Sequence, residues 1–261
     1  MAQAATHTPQ GYPLPIVNEI TFDHPWEWLS KGWQDLKRAP KYSLTYGAFF
    51  VVVSILMTLG LMVGSLFFII PPLAAGFFLL APFLGIGLYQ ISSTLERGER
   101  VEYCQALKAW HKNDINLGAM AVVLVMVMLV WMLAALLLFA ILYDQPVPTW
   151  ENFVPVVFLS GESPAFVFAG IVAGALIAAF TFTISAITVP MLMDRDVDVF
   201  TAIRTSIEAV RKNWQAMALW ACLIVMFVGI GIVTYYIGLL ITMPLVGHAT
   251  WHAYRDLVPR D

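Results

Sequence analysis

Four long apolar stretches constrain the fold of this chain more than any other feature of its sequence. They cover Leu44–Ser92, Leu117–Tyr143, Pro164–Met193 and Ala216–Gly247. Because a bilayer core requires roughly 20 apolar residues per helix, the first and last stretches can each hold two helices and the middle stretches one each. The sequence therefore predicts an all-α, polytopic membrane protein with six transmembrane helices. Five is the alternative, since the last stretch also suits one long tilted helix.

Composition agrees with a membrane protein and excludes other classes. Hydrophobic residues make up 60% of the chain and charged residues 12%, and the mean hydropathy is +0.78. Soluble domains are about half apolar and a quarter charged. The net charge of -3 supplies no basic face, which excludes nucleic acid as a primary partner. The two cysteines, Cys104 and Cys222, lack the spacing of metal ligands.

The N-terminus predicts a tail that stays on the side where it was made. It lacks the basic and apolar regions of a secretory signal. Residues 1–22 are predicted to be a disordered cytoplasmic tail, and residues 23–258 an integral membrane domain. Asp23, followed by Pro25, is typical of the start of a helix.

The positions of the basic residues predict the orientation. All 14 Lys and Arg fall in four groups: Lys31, Lys37, Arg38 and Lys41; Arg97, Arg100, Lys108 and Lys112; Arg195, Arg204, Arg211 and Lys212; Arg255 and Arg260. The segments between these groups on the other side carry only Asp144, Glu151 and Glu162. The positive-inside rule therefore predicts a bacterial cytoplasmic membrane protein with both termini in the cytoplasm, which favours an even number of spans.

An internal repeat is predicted in the segments that precede the spans. One apolar spacing occurs twice, each time followed by two basic residues: Trp26, Leu29, Trp33 and Leu36; Phe200, Ile203, Ile207 and Val210. A weaker copy contains Tyr103, Leu107 and Trp110. This pattern predicts three helical hairpins, each preceded by an amphipathic interfacial helix whose basic end meets anionic headgroups. The alternative is that juxtamembrane segments are commonly amphipathic and basic.

Several residues within the apolar stretches predict local features of the spans. The sequence Ile69–Pro72 predicts a turn, and Pro82, Pro190 and Pro244 predict kinks. Tyr89, Gln90, Ser92 and Ser93 are predicted to form hydrogen bonds between helices. No acidic residue lies in the middle of a span, and the chain has no HExxH motif. These absences argue against an ion-coupled pump and against an enzyme.

Two polar clusters follow the fourth and the last predicted span. In GHATWHAYRD, His248, His252 and Asp256 share one helical face, which makes them candidate metal ligands. The second cluster consists of Asp194, Arg195, Asp196 and Asp198, with Arg255 as a partner in the last helix. If the two helix ends touch, Asp194 or Asp196 could complete the metal site. The alternative is that the acidic residues pair with Arg195, Arg204 and Arg255, while Trp251, Tyr254 and both histidines form an interfacial belt.

Four segments carry a resemblance to a known family. They are HPWEWLSKGWQDLKRAPKYSLTYG, LAPFLGIGLYQISSTLERGE, PMLMDRDVDVFTAIRTSIEAVRKN and PLVGHATWHAYRDL. From about His24 to Val258 the chain resembles a domain-of-unknown-function family of predicted bacterial integral membrane proteins. Some members are labelled cytochrome c oxidase proteins. An oxidase core needs several histidines within its spans, so the label implies an accessory or assembly role here.

The sequence supports three functional hypotheses. The first is a non-catalytic accessory or assembly protein for a membrane complex, with a respiratory oxidase as the example that the resemblance implies. The second is a transporter or lipid-handling protein for a neutral or amphipathic substrate. The third is metal or haem binding through His248, His252 and Asp256. The bilayer is the one partner that the sequence identifies, and no cofactor is identified.

Overall fold

The fold is helical throughout the part of the chain that the computed structural model describes, which comprises residues 15–64, 66, 69–103, 108–145, 152 and 155–260. No strand occurs in these ranges. The helices are α1 (His24–Arg38), α2 (Pro40–Val63), α3 (Ile70–Leu84), α4 (Ile86–Glu96), α5 (Asp114–Leu142), α6 (Pro164–Ser185), α7 (Thr188–Asp194), α8 (Val199–Lys212), α9 (Trp214–Val233) and α10 (Leu239–Leu257).

Five helical segments in the described ranges are long and apolar enough to cross a membrane. They are Pro40–Val63, Ile70–Glu96, Asp114–Leu142, Pro164–Asp194 and Trp214–Val233. The second comprises α3 and α4, and the fourth comprises α6 and α7. The prediction of a multispan helical membrane protein is confirmed to this extent. The sixth predicted span corresponds to α10, which is absent from these five, so the count of six is not confirmed.

Two of the three prolines predicted to kink a helix lie beside interruptions. Pro82 precedes by three residues the break at Gly85 between α3 and α4. Pro190 lies three residues after the break between α6 and α7. Its ring cannot pack against the carbonyl of residue 186 in a regular helix, which accounts for the break. Pro244 lies inside α10 without ending it. The turn predicted at Ile69–Pro72 ends at Ile69, since α3 begins at the next residue.

The helix α10 lies at the centre of the packing. Fourteen of its 19 residues are buried, and it contacts α1, α2, α4 and α9. Glycines allow two of these neighbours to approach its backbone. A Cβ atom on Gly47 of α2 would lie 2.2 Å from the carbonyl oxygen of Leu240, and one on Gly32 of α1 would lie 2.8 Å from the amide nitrogen of Ala249. Glycine is therefore required at both crossings.

By contrast, α5 and α6 contribute little to the core. Only Leu117, Met120 and Leu124 are buried among the 29 residues of α5. In α6 the buried residues are Thr181, Ile184 and Ser185, all near its C-terminus. The largest core cluster therefore collects at the ends of the helices that adjoin the basic residues. The apolar side chains further along α5 and α6 remain exposed, as expected for surfaces that face lipid.

The apolar stripes predicted in α1 and α8 turn partly toward the protein. Leu29 and Leu36 are buried in the core, whereas Trp26 and Trp33 are exposed. In α8, Phe200 is exposed, whereas Ile203, Ile207 and Val210 pack against the core. An interfacial position for these helices is not confirmed, because half of the stripe in α1 and most of the stripe in α8 are covered by other helices. The residue Leu107 of the third stripe lies outside the described ranges, as does Cys104.

Four long helices begin after the same backbone break. The break residues are Ala39 before α2, Asn113 before α5, Ser163 before α6 and Asn213 before α9, with φ of −127°, −146°, −128° and −117° and ψ of 52°, 61°, 54° and 35°. The carbonyl of each accepts a hydrogen bond from the amide four residues later, at 3.1, 2.9, 3.1 and 2.9 Å respectively. Each break redirects the chain and yet leaves the next helix with its first hydrogen bond.

The residues before α1 cross the ends of α8 and α10. The amide of Asn18 donates to the carbonyl of Leu257 at 2.9 Å, and Nζ of Lys212 donates to the carbonyl of Val17 at 2.9 Å. Asn213 binds both the amide of Ile20 and the carbonyl of Asn18, each at 2.9 Å. The tail was predicted to be disordered up to residue 22, but the part of it that the structure describes is attached to the ends of α8 and α10. Residues 1–14 lie outside the described ranges.

Candidate functional site

The first candidate residue, His248, is completely buried and held at both ring nitrogens. Its Nε2 lies 2.9 Å from Oγ of Ser43 on α2, and its Nδ1 lies 2.8 Å from Oγ of Ser92 on α4. The predicted hydrogen bond between helices at Ser92 is thereby confirmed. Because a neutral imidazole offers one donor and one acceptor, the two hydroxyls can satisfy both nitrogens. His248 therefore links three helices.

The second histidine binds a buried carboxylate. Nε2 of His252 lies 2.8 Å from Oδ2 of Asp35 on α1, and the side chain of Asp35 is only 6% exposed. Burial alone would raise the pKa of Asp35, but hydrogen bonds from His252 and Ser92, together with the charge of His252, hold that pKa below its usual value. The carboxylate is thus stabilised in its ionised form.

Ser92 joins these two contacts into one network. Its hydroxyl lies 2.8 Å from Nδ1 of His248, and its interaction with Asp35 helps to keep the pKa of that carboxyl below its usual value. A serine hydroxyl can donate to one group while it accepts from another, so Ser92 can serve both neighbours.

Asp256 faces α1 one turn further along α10. Its Oδ2 accepts a hydrogen bond from Nε1 of Trp28 at 2.8 Å and lies 3.1 Å from Nζ of Lys31. The three candidate ligands thus have separate partners: hydroxyls at His248, a carboxylate at His252, and an indole and an ammonium group at Asp256. Within the described ranges no group of three or more His, Cys, Asp or Glu residues has an arrangement that could hold a metal ion.

The ends of α7 and α10 do meet, but through another face of α10. The hydroxyl of Tyr254 donates to Oδ2 of Asp194 at 2.9 Å and accepts from Nε of Arg195 at 3.1 Å. Nη1 of Arg255 is buried without a hydrogen bond and lies 3.9 Å from Oδ2 of Asp194. The predicted pair of Asp194 and Arg255 is therefore separated by more than a hydrogen-bond distance. His248 and His252 instead contact α1, α2 and α4.

Glu96, at the end of α4, is a second anchor for this face. It accepts a hydrogen bond from Nε1 of Trp251 at 3.0 Å and lies 3.1 Å from Nε of Arg255. Trp251 is completely buried, so the interfacial belt predicted for it and Tyr254 is not present. Arg260, beyond α10, lies 3.5 Å from Oδ1 of Asp194. These pairs fasten the C-terminal residues to α4 and α7.

The remaining acidic candidates lie apart from this contact. Asp198 caps α8: its Oδ1 accepts hydrogen bonds from the amides of Phe200 at 2.9 Å and Thr201 at 3.0 Å. The hydroxyl and amide of Thr201 lower the pKa of Asp198 because they stabilise its charge. Asp196 is exposed. The sequence cluster therefore separates into an ion-pair group at Asp194, a helix cap at Asp198 and a surface carboxylate.

Sequence reasoning missed Asp35, Ser43 and Glu96 as members of these contacts. Asp35 had a recognisable signal, since a carboxylate between the apolar positions of an amphipathic helix requires a partner when that face is buried. Ser43 and Glu96 had none, because each lies at the end of a helix where polar residues are common. Only the packing of α2 and α4 against α10 brings them to the candidate residues.

Comparison with known proteins bears on membrane location. Residues 69–194 match the family described as "Predicted integral membrane protein (DUF2189)". The match covers slightly less than half of the chain, from α3 to the end of α7, whereas the predicted resemblance extended over nearly the whole chain. No curated protein and no solved structure matches. The helix that carries His248 and His252 lies outside the matched region.

Proposed function

We propose that the chain crosses the bacterial cytoplasmic membrane six times, with α10 as the sixth crossing and both termini in the cytoplasm. The turn between α9 and α10 is short, running from Thr234 to Gly238, and α10 packs along α9. The hydrogen bond between Asn18 and Leu257 brings the two ends of the chain together. An even number of crossings is required if these ends share a compartment.

The environment of α10 accounts for its low hydropathy under this proposal. Lipid-facing helices must be apolar, whereas a helix enclosed by other helices can carry polar groups that bind its neighbours. His248 and Thr250 are buried in protein and hydrogen-bonded. A helix enclosed in this way needs no continuous apolar surface, so α10 can be less apolar than its lipid-facing neighbours.

A three-unit repeat is the second part of the proposal. Burial in α1 and α8 supports it because it follows one register, with buried residues at corresponding positions in the two helices: Pro25, Trp28, Gly32 and Asp35; Val199, Ala202, Ser206 and Ala209. Each unit would consist of a short helix followed by a helical hairpin.

The proposed function is a non-catalytic accessory or assembly role for another membrane complex. One observation carries this proposal: the polar side chains that sequence analysis selected as chemical candidates bind neighbouring helices of the same chain. His248, His252 and Asp256 all fasten α10 to α1, α2 or α4. Polar groups used in this way stabilise one arrangement of helices, as expected of a scaffold. A respiratory oxidase is the first complex to test.

Isolation of the tagged native protein in a mild detergent tests this role. We expect a membrane complex to co-purify in stoichiometric amounts, and its abundance to fall when the gene is deleted. An unrelated multispan protein with the same tag is the control. Purification of the chain alone, with all membrane complexes unchanged in the deletion strain, would contradict the proposal. Stoichiometric metal or a haem spectrum in the isolated chain would instead support the site at His248, His252 and Asp256.

A further inference from the structure

Three exposed basic residues surround the junction between α1 and α2. Lys37 and Arg38 occupy the last turn of α1, and Lys41 occupies the first turn of α2. We call these three residues the basic corner. Lys41 lies one turn before Leu44, where the apolar stretch of α2 begins. Because α2 is long and apolar enough to cross the membrane, the basic corner lies at the depth of the lipid headgroups.

The charges of the basic corner have no acidic partner in the described part of the chain. Glu102 is the residue before Tyr103, but it forms no ion pair with Lys37, Arg38 or Lys41. Other basic residues do have carboxylate partners: Lys31 with Asp256, Arg97 with Glu99, Lys212 with Glu19, Arg255 with Glu96, and Arg260 with Asp194. Six more basic residues also lack a described carboxylate within ion-pair distance: Arg100, Lys108, Lys112, Arg195, Arg204 and Arg211. The basic corner differs from these in placing three exposed basic side chains at one helix junction.

At one of the other two junctions, oxygen atoms of the protein bind a basic side chain. At the junction before α9, Nζ of Lys212 binds the carbonyl of Val17 at 2.9 Å and lies 3.6 Å from the carboxylate of Glu19. At the junction before α5, the carboxylate of Asp114 accepts a hydrogen bond from the amide of Ile115 at 2.8 Å. The starts of α2 and α9 both lack an acidic residue in the first turn and a side-chain cap, but only the junction before α9 has a carboxylate, that of Glu19, beside its lysine.

Aromatic rings hold the basic residues in position. Nζ of Lys37 lies 5.9 Å from the ring centroid of Trp33, and Nζ of Lys41 lies 5.6 Å from that of Tyr103. Tyr103 is itself fixed, since its ring lies 4.4 Å from that of Tyr42. Such cation–π contacts restrict the ammonium groups without neutralising them. The exposed ring of Trp33 also suits the amphipathic headgroup region of a membrane.

We propose that the basic corner binds the phosphate group of an anionic phospholipid. The phosphate oxygens would accept hydrogen bonds from Lys37, Arg38 and Lys41 and supply negative charge, as the carboxylate of Glu19 does for Lys212 before α9. The free amides at the start of α2 add to the attraction, because the N-terminal end of a helix is electropositive. This inference does not rest on the accessory role, since it concerns the lipid that surrounds the protein.

The test measures binding of a short-chain phosphatidylglycerol to the full-length protein in a neutral detergent. Short-chain phosphatidylcholine is the zwitterionic reference. The test variant carries Lys37→Gln, Arg38→Gln and Lys41→Gln. The matched control carries Arg100→Gln, Arg204→Gln and Arg211→Gln, which removes the same net charge from three other exposed residues. Circular dichroism and gel filtration verify that both variants fold.

We expect the native protein and the control to prefer phosphatidylglycerol, and the test variant to bind it at least about tenfold more weakly because each basic residue contributes to the attraction. Equal weakening in both variants would overturn the proposal by showing that net charge alone acts. Equal binding of both lipids by the native protein would overturn it too. Displacement by millimolar inorganic phosphate would assign the surface to a soluble anion rather than to a lipid.

Discussion

The carboxylate of Asp35 lies 2.8 Å from Nε2 of His252, although 217 positions separate the two residues in the chain. This contact fastens the short helix α1 to the central helix α10 in a place where Asp35 is almost completely buried. The buried carboxylate is also stabilised by Ser92, so one group couples α1, α4 and α10. The position of α1 therefore depends on a charge that the sequence alone does not connect to α10.

Loss of the charge at Asp35 should loosen this attachment. We expect Asp35→Asn to lower the free energy of unfolding by about 1.5–3 kcal/mol, the usual contribution of a hydrogen bond to a charged group. Thermal unfolding in detergent measures it, with Glu27→Gln on the exposed face of α1 as the control. A double-mutant cycle with His252→Ala should give a coupling energy well above zero. Additive effects would show that the two residues act separately.

Replacing His248 together with Ser43 and Ser92 should destabilise the protein less than the separate replacements do in sum. We expect Ser92→Ala to destabilise the protein by about 1 kcal/mol or more, because it leaves a ring nitrogen of His248 unpaired in a buried place. The combined variant Ser43→Ala, Ser92→Ala and His248→Leu removes all the partners together. It should unfold closer to the native protein than the sum of the single variants predicts. A sum equal to the separate effects would contradict the network.

Two glycines in α2 should respond differently to the same substitution. At Gly47 a new Cβ would lie 2.2 Å from the carbonyl oxygen of Leu240, so Gly47→Ala must push α2 and α10 apart. We expect a loss of about 1–3 kcal/mol, as in other overpacked cores. At Gly60 nothing lies within 4 Å of that position, so Gly60→Ala should be neutral or slightly stabilising. Similar thermal stability of both variants would disprove the close crossing.

The cap of α8 should make stability depend on pH through Asp198. Because hydrogen bonds from Thr201 lower the pKa of Asp198 in the folded protein, its contribution is present at neutral pH and is lost as the pH falls below 3.8, the unperturbed value. We expect Asp198→Ala to cost about 1 kcal/mol at neutral pH and progressively less on acidification. Asp196→Ala is the control, since that side chain is exposed. A constant difference across this pH range would refute the assignment.

The six-crossing proposal predicts where single cysteines can be labelled. With Cys104 and Cys222 replaced by serine, a cysteine at Glu162 should react with an impermeant maleimide in intact cells. Cysteines at Arg204 and Arg260 should react only after the membrane is made permeable, because both positions are predicted to be cytoplasmic. Labelling of the Arg260 position from outside would favour five crossings, and labelling of Arg204 from outside would reverse the orientation.

Much of the fold follows from the sequence, because hydropathy and helix signals are local properties of the chain. Of the six spans that the apolar stretches predicted, five are long apolar helices in the structure, and Asp23 preceded the first helix as expected. The resemblance agreed with a family match of the same kind. The spacing of His248 and His252 also predicted correctly that they share one helix. Each of these conclusions requires only residues that are close in sequence.

The partners of the candidate residues were decided by the tertiary structure. Helical periodicity shows which residues share a face, but it does not show which helix that face meets. For this reason the sequence linked His252 to a metal, whereas the structure brings it to Asp35. The same cause explains α10, whose polar residues are tolerated because surrounding helices replace lipid as its environment. Composition determined that this chain belongs in a membrane, and packing decided what its polar groups do there.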